Sequence, residues 1–116
     1  MKCRIRLALT DHHDRPFAGI GVIRLLNAIV EHGSIHHAAK TCGLSYVKAW
    51  TMMNRLDQGL GQPVLRRQTG GVNGGGAVLT PFGKKFLRAF ERHHHQLNQI
   101  AQRRIQHLER ILKSKP

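Results

Sequence analysis

From Thr80 to about Lys113 the sequence reads as one unbroken helix. Thr80 supplies a hydroxyl that can cap the first unpaired N–H groups, and Pro81 suits the first helical turn. At ~1.5 Å per residue such a helix is about 50 Å long. Its apolar stripe of Phe82, Phe86, Phe90, Leu97, Ala101, Leu108 and Ile111 outruns anything the preceding 80 residues can cover. A second copy is therefore expected to bury the distal part, with Phe90, Leu97, Ala101, Leu108 and Ile111 as the dimerisation residues.

The residues before that helix make one small domain. Residues 3 to 9 alternate, with Cys3, Ile5, Leu7 and Leu9 on one side and Arg4, Arg6 and Ala8 on the other, the period of a half-buried strand. A loop follows through Pro16. Between Ile20 and Glu31 the apolar residues Val22, Ile23, Leu26, Ile29 and Val30 recur at helical spacing, and Gly33 is a natural stop. Ser34 can cap a second, short helix that ends at Gly43. Ser45 can cap a third, reaching about Gly59 with Ala49, Met53, Leu56 and Leu60 inside and Trp50 half-buried. Two helices joined by a short glycine-containing turn form a helix-turn-helix. After Pro63, VLRRQ and AVLT read as strands of a hairpin around the glycine-rich stretch from Thr69 to Gly76. The strand at residues 3 to 9 is expected to join that hairpin, because two strands alone are marginal in water.

Charge narrows the function. Nineteen Lys and Arg against six Asp and Glu leave a formal +13, which favours a polyanionic partner. The acids are scattered, with no close pair for acid–base chemistry, so no catalytic role is expected. Cys3 and Cys42 form neither a metal-type pair nor a disulfide framework. The first residues do not resemble a signal peptide and no run approaches ~18 apolar residues, so the expected location is the cytoplasm.

Two tempting motifs carry little. The glycine-rich stretch leads into a strand rather than a helix and lacks a following GK[ST], so it reads as a wing tip instead of a phosphate cradle. Nine histidines invite a metal. Consecutive helical residues such as His93, His94 and His95 diverge by ~100°, however, and cannot share one ion. No metal and no cofactor are expected.

The DNA-reading candidates follow from where the helix-turn-helix places its residues. Ser45, Tyr46, Val47 and Lys48 lie at the start of the third helix, the part that meets base edges in the major groove, and Thr51 and Arg55 continue the outward face. Ser34, His36 and His37 start the second helix, where the DNA backbone passes. Arg66, Arg67 and Thr69 flank the wing tip and are candidates for backbone contact.

The segments Ser45-Tyr46-Val47-Lys48-Ala49-Trp50, Thr69-Gly70-Gly71-Val72-Asn73-Gly74-Gly75-Gly76-Ala77 and Leu79-Thr80-Pro81-Phe82-Gly83 together resemble the N-terminal DNA-binding domain of the ModE family of molybdate-responsive regulators. The likeness spans most of residues 17 to 92. The last segment by itself is shared with LysR-type regulators. The resemblance implies a winged helix-turn-helix that dimerises through its long helix and binds a palindromic operator, with Ser45, Tyr46 and Lys48 in the recognition helix. Val47 and Val72 stand where that family usually carries Lys or Arg, which implies a different operator. The family's molybdate-binding domains have no counterpart in these 116 residues, so the chain reads either as a stand-alone DNA-binding domain that works without that effector or as a fragment of a longer protein, and no molybdate binding is expected.

The sequence thus predicts a mainly α fold with a small β-sheet, a winged helix-turn-helix over residues 1-80 and a long C-terminal dimerisation helix over 81-116. The function expected is that of a homodimeric, sequence-specific regulator bound to double-stranded DNA. The alternatives are an architectural protein of low sequence specificity, or a histidine-based sensor of metal or pH.

Overall fold

The computed structural model describes residues 1–68 and 76–114. In chain order the elements are β1 (Leu9–Thr10), β2 (Pro16–Ala18), α1 (Ile20–His32), α2 (Ile35–Thr41), α3 (Tyr46–Leu60), β3 (Leu65–Arg67), β4 (Ala77–Leu79) and α4 (Pro81–Lys113). The glycine-rich segment expected to form the wing tip, including Thr69, lies outside the described residues.

α2, α3 and α4 each begin at the hydroxyl that the sequence offers, whereas α1 follows Gly19 with no side-chain cap. Ser34 Oγ accepts the His37 N–H at 3.2 Å, Ser45 Oγ accepts the Lys48 N–H at 3.1 Å, and Thr80 Oγ1 accepts the Gly83 N–H at 2.9 Å. Gly33 ends α1 with φ 68°, a conformation that L side chains rarely adopt. The helices pack around the fully buried Leu25, Leu26, Ile29, Met53 and Leu56, and Ala38 and Ala49, both fully buried, let the backbones approach.

The strands β3 and β4 form an antiparallel hairpin in the register Leu65↔Leu79, Arg66↔Val78, Arg67↔Ala77. It is tied down at both ends: at its base Val64 N–H donates to Asp57 Oδ1 and Thr80 N–H to the Val64 carbonyl, and at the far end Ala77 N–H donates to the Gly33 carbonyl. α3 thereby fixes where the hairpin starts, and the α1–α2 turn holds β4 at its far end.

The third strand expected for this hairpin is absent. β1 and β2 form a separate two-stranded sheet, Leu9 opposite Ala18, around a turn in which Asp11 Oδ1 accepts the N–H groups of His13 and Arg15. Residues 1 to 8 are extended but lie along α4, where side-chain amides take the place of a neighbouring strand. Cys3 N–H donates to Gln102 Oε1 at 2.9 Å, and Ile5 N–H donates to Asn98 Oδ1 at 2.6 Å. Gln102 Nε2 donates to the Met1 carbonyl, and the His94 ring hydrogen-bonds the Ile5 carbonyl at 3.0 Å. The Met1 ammonium meets Glu109. The long helix gives the molecule its 69 × 29 × 23 Å extents.

Candidate nucleic-acid interface

The outer face of α3 is set by what its inner face buries. Ala49, Met53 and Leu56 are fully enclosed. At ~100° per residue, Val47 and Thr51 then fall on the opposite side, with Lys48 and Arg55 along one flank and Tyr46, Trp50 and Asn54 along the other. Val47 is 72% exposed, Tyr46 47% and Trp50 42%. Ser45, Lys48, Thr51 and Arg55 are exposed as well. Thr51 donates its hydroxyl to the Val47 carbonyl at 2.8 Å, which leaves its oxygen and methyl as the outward groups.

The start of α2 abuts the start of α3. The His36 ring lies 6.0 Å from the Tyr46 ring and 6.0 Å from that of His37, and both histidines are exposed. Ser34 does not share that exposure. It is 7% exposed, and its oxygen is occupied in capping α2, so the side chain is part of the turn and not of the surface the sequence suggested.

Strand alternation separates the two wing arginines. Leu65 and Arg67 share the face turned toward α3, and Arg66 takes the other, opposite Val78. Arg67 accordingly reaches the recognition helix: its guanidinium carbon sits 5.2 Å from the centre of the Trp50 ring, and Nη2 donates to Asn54 Oδ1 at 3.1 Å. Arg66 lines a shallow depression with Val30, Val78 and Lys84.

Trp50 is the residue that helical phase alone misplaces. It was expected half-buried against the core and is instead an exposed platform for Arg67. Asn54 was not singled out at all. Both could have been found by reading α3 together with β3, since Trp50 and Asn54 lie one turn apart on the flank nearest the wing. The result is a row of rings and cations running from His37 and His36 through Tyr46 and Trp50 to Arg67.

Among the described residues no acid forms an ion pair with this surface. Among the described residues both ion pairs involve Glu109, near the end of α4, and the Asp57 carboxylate is engaged by the Val64 N–H. Nor do three His, Cys, Asp or Glu side chains come together among the described residues as a metal site requires. No helix among them is long and apolar enough to cross a membrane.

The residues expected to dimerise divide into two groups. Phe90 is 6% exposed and packs against Phe86 within its own chain, and Ala101 is 9% exposed beside the N-terminal arm, so the chain covers these two itself. Leu97 is half-buried, whereas Leu108 is 42% and Ile111 54% exposed. Ile100, absent from the expected stripe, is 48% exposed.

Residues 20–84 match the bacterial regulatory helix-turn-helix protein, lysR family. Among individual relatives, the transcriptional regulator ModE of Haemophilus influenzae is 39% identical over 69 residues, which are 60% of this chain and 27% of that protein. The DNA-binding transcriptional dual regulator ModE of Escherichia coli K12 is 40% identical over 75 residues, 65% of this chain and 29% of that protein. The chain thus spans little more than a quarter of the length of these relatives. Among solved structures, the crystal structure of the CbnR_DBD-DNA complex superposes with a TM-score of 0.53 at 23% identity, over 79% of this chain and 95% of the other. That likeness concerns the fold.

Proposed function

Because the chain belongs to the lysR family of bacterial regulatory helix-turn-helix proteins, we propose that it regulates transcription as a homodimer bound sequence-specifically to double-stranded DNA in the cytoplasm. The observation that carries this reading is the exposed face of α3, with Tyr46, Val47, Lys48, Thr51 and Arg55 outward and Arg67 of the wing held against it. A helix presented in this way enters the major groove with its first turn toward base edges, and cations at its flanks meet phosphates. The net charge of +13 supplies the attraction that any sequence would feel. Sequence preference falls to Tyr46, Lys48 and Thr51, which carry the donors and acceptors.

Selection of bound duplexes from a random pool tests this reading. A shared motif is expected, bound ~10³-fold or more tightly than unrelated DNA of the same length. A pool that stays random, with a ratio near one, would leave only charge-driven architectural binding. Because the contacts proposed are all on the chain itself, the motif is expected to emerge without molybdate in the buffer.

A further inference from the structure

We propose that Trp50 and Asn54 form a seat for the Arg67 guanidinium, and that this seat fixes the wing against the recognition helix, so that Arg67 positions the DNA-reading surface and is not an independent phosphate contact. The inference rests on the DNA-binding reading above and adds three roles to it. Its basis is geometric. The cation stands over the face of the indole at 5.2 Å, within the range of an attractive cation–π arrangement, while one N–H is bonded to the Asn54 amide oxygen. Only a planar guanidinium can lie over a ring and donate sideways at once; a lysine ammonium offers a point charge with no plane.

The seat also ties this level of the hairpin to α3, on the other side from the bond that Ala77, opposite Arg67, donates to the Gly33 carbonyl. The base of the hairpin is held by the bonds of Val64 to Asp57 and Thr80, whereas Arg67 is the last residue of β3, at the far end of the hairpin. With Arg67 seated, the strand leaves the body along the flank of α3 that carries Trp50. The guanidinium uses one N–H for Asn54, so the seated side chain can still meet a phosphate, but in an orientation that the seat dictates.

The molecule has a single tryptophan, so the seat can be observed without DNA. In the free protein, Arg67→Ala should shift Trp50 emission and raise its quenching by acrylamide, and Arg67→Lys should do much the same. On the selected duplex, Trp50→Ala and Arg67→Ala should each weaken binding about tenfold, and the double variant should also lose about tenfold instead of about a hundredfold, because the two residues act as one unit. Arg67→Lys should leave the dependence on salt nearly unchanged yet recover little of the affinity. Trp50→Phe, which retains a ring, should recover much of the loss of Trp50→Ala and guards against a folding artefact. Multiplicative losses, or an Arg67→Lys variant equal to the native protein, would overturn the seat and return Arg67 to the role of a free cation. A failure to select any duplex would instead count against the DNA-binding reading, while the fluorescence of the free protein still decides the seat.

Discussion

The main-chain N–H of Ile5 donates to the side-chain oxygen of Asn98 across 93 positions of sequence, at 2.6 Å. This bond and its neighbour from Cys3 to Gln102 dock the N-terminal arm on the long helix. Asn98 and Gln102 are one turn apart on α4, and Cys3 and Ile5 are two residues apart on an extended chain, so rises of about 6 Å and about 7 Å are nearly matched. Asn98→Ala removes the acceptor and leaves a half-buried donor without it. Stability to urea should fall by about 1 kcal/mol, and hydrogen exchange should quicken at Ile5 and Cys3 while α1 to α3 remain protected. Unchanged exchange at Ile5 would mean that the arm does not rest there.

The far end of the same arm responds to acid. The Met1 ammonium, hydrogen-bonded to Glu109, holds that carboxyl below the usual carboxylate range, and the Lys113 charge adds to the effect. Since the group is more acidic in the folded chain, its contribution is complete at pH values above the ordinary carboxylate range. It fades as pH falls through the lowered value. In an NMR titration Glu109 should protonate at lower pH than an unpaired glutamate, and acetylation of the Met1 amine should move it back toward the ordinary range.

Gly83 faces the backbone of Val64. A methyl group on Gly83 would overlap the Val64 carbonyl oxygen, which already accepts the Thr80 N–H and cannot yield without loosening the base of the wing. This is the physical content of the glycine in the segment Leu79-Thr80-Pro81-Phe82-Gly83: α4 crosses the strand entering the wing too closely for any side chain. Gly83→Ala should lower stability by about 1–3 kcal/mol in spite of alanine's higher helix propensity, a result that thermal melting can check.

The helices were legible because their limits are written in local chemistry. Ser34, Ser45, Thr80 and Gly33 act within four residues of themselves, and each does in the structure what its type favours. The arm shows where such reasoning stops. Alternation correctly put Cys3, Ile5, Leu7 and Leu9 on the covered side, since all four are half-buried and the residues between them exposed. The period says which side is covered but not by what, and the amides of Asn98 and Gln102 replace the expected strand. Trp50 is a similar case, because its surroundings depend on Arg67, thirteen residues beyond Asn54 and on another element.

DNA affinity should depend steeply on salt. If six or more phosphates are neutralised, binding weakens about a thousandfold between 50 and 200 mM monovalent salt. Lys48 lies in the first turn of α3, so Lys48→Ala separates two possibilities. Loss of a base contact would relax the preference at one position of the selected motif, whereas loss of a phosphate contact would weaken all duplexes alike and reduce the salt slope by about one. Unchanged affinity for the selected duplex would remove Lys48 from the interface.

The distal half of α4 should hold the proposed dimer, and the structure narrows the seam. Phe90 and Ala101 are covered by their own chain, so removing everything after Arg92 would also strip the arm of Asn98, Gln102 and Glu109 and would confuse two effects. Point changes are cleaner. At ~100° per residue, Leu97, Ile100, Leu108 and Ile111 fall within one stripe, well away from the face that carries Asn98, Gln102 and Glu109. Arg104 lies in the middle of that stripe, where a second copy would bring a like charge close. Ile100→Glu combined with Ile111→Glu should therefore yield a folded monomer in sedimentation, with its arm still docked and with much weaker binding to a two-half-site duplex. Arg104→Leu should act in the opposite direction and tighten the dimer, because an unpaired cation in an apolar seam opposes association. If both variants sediment as the native protein does, the two copies meet elsewhere.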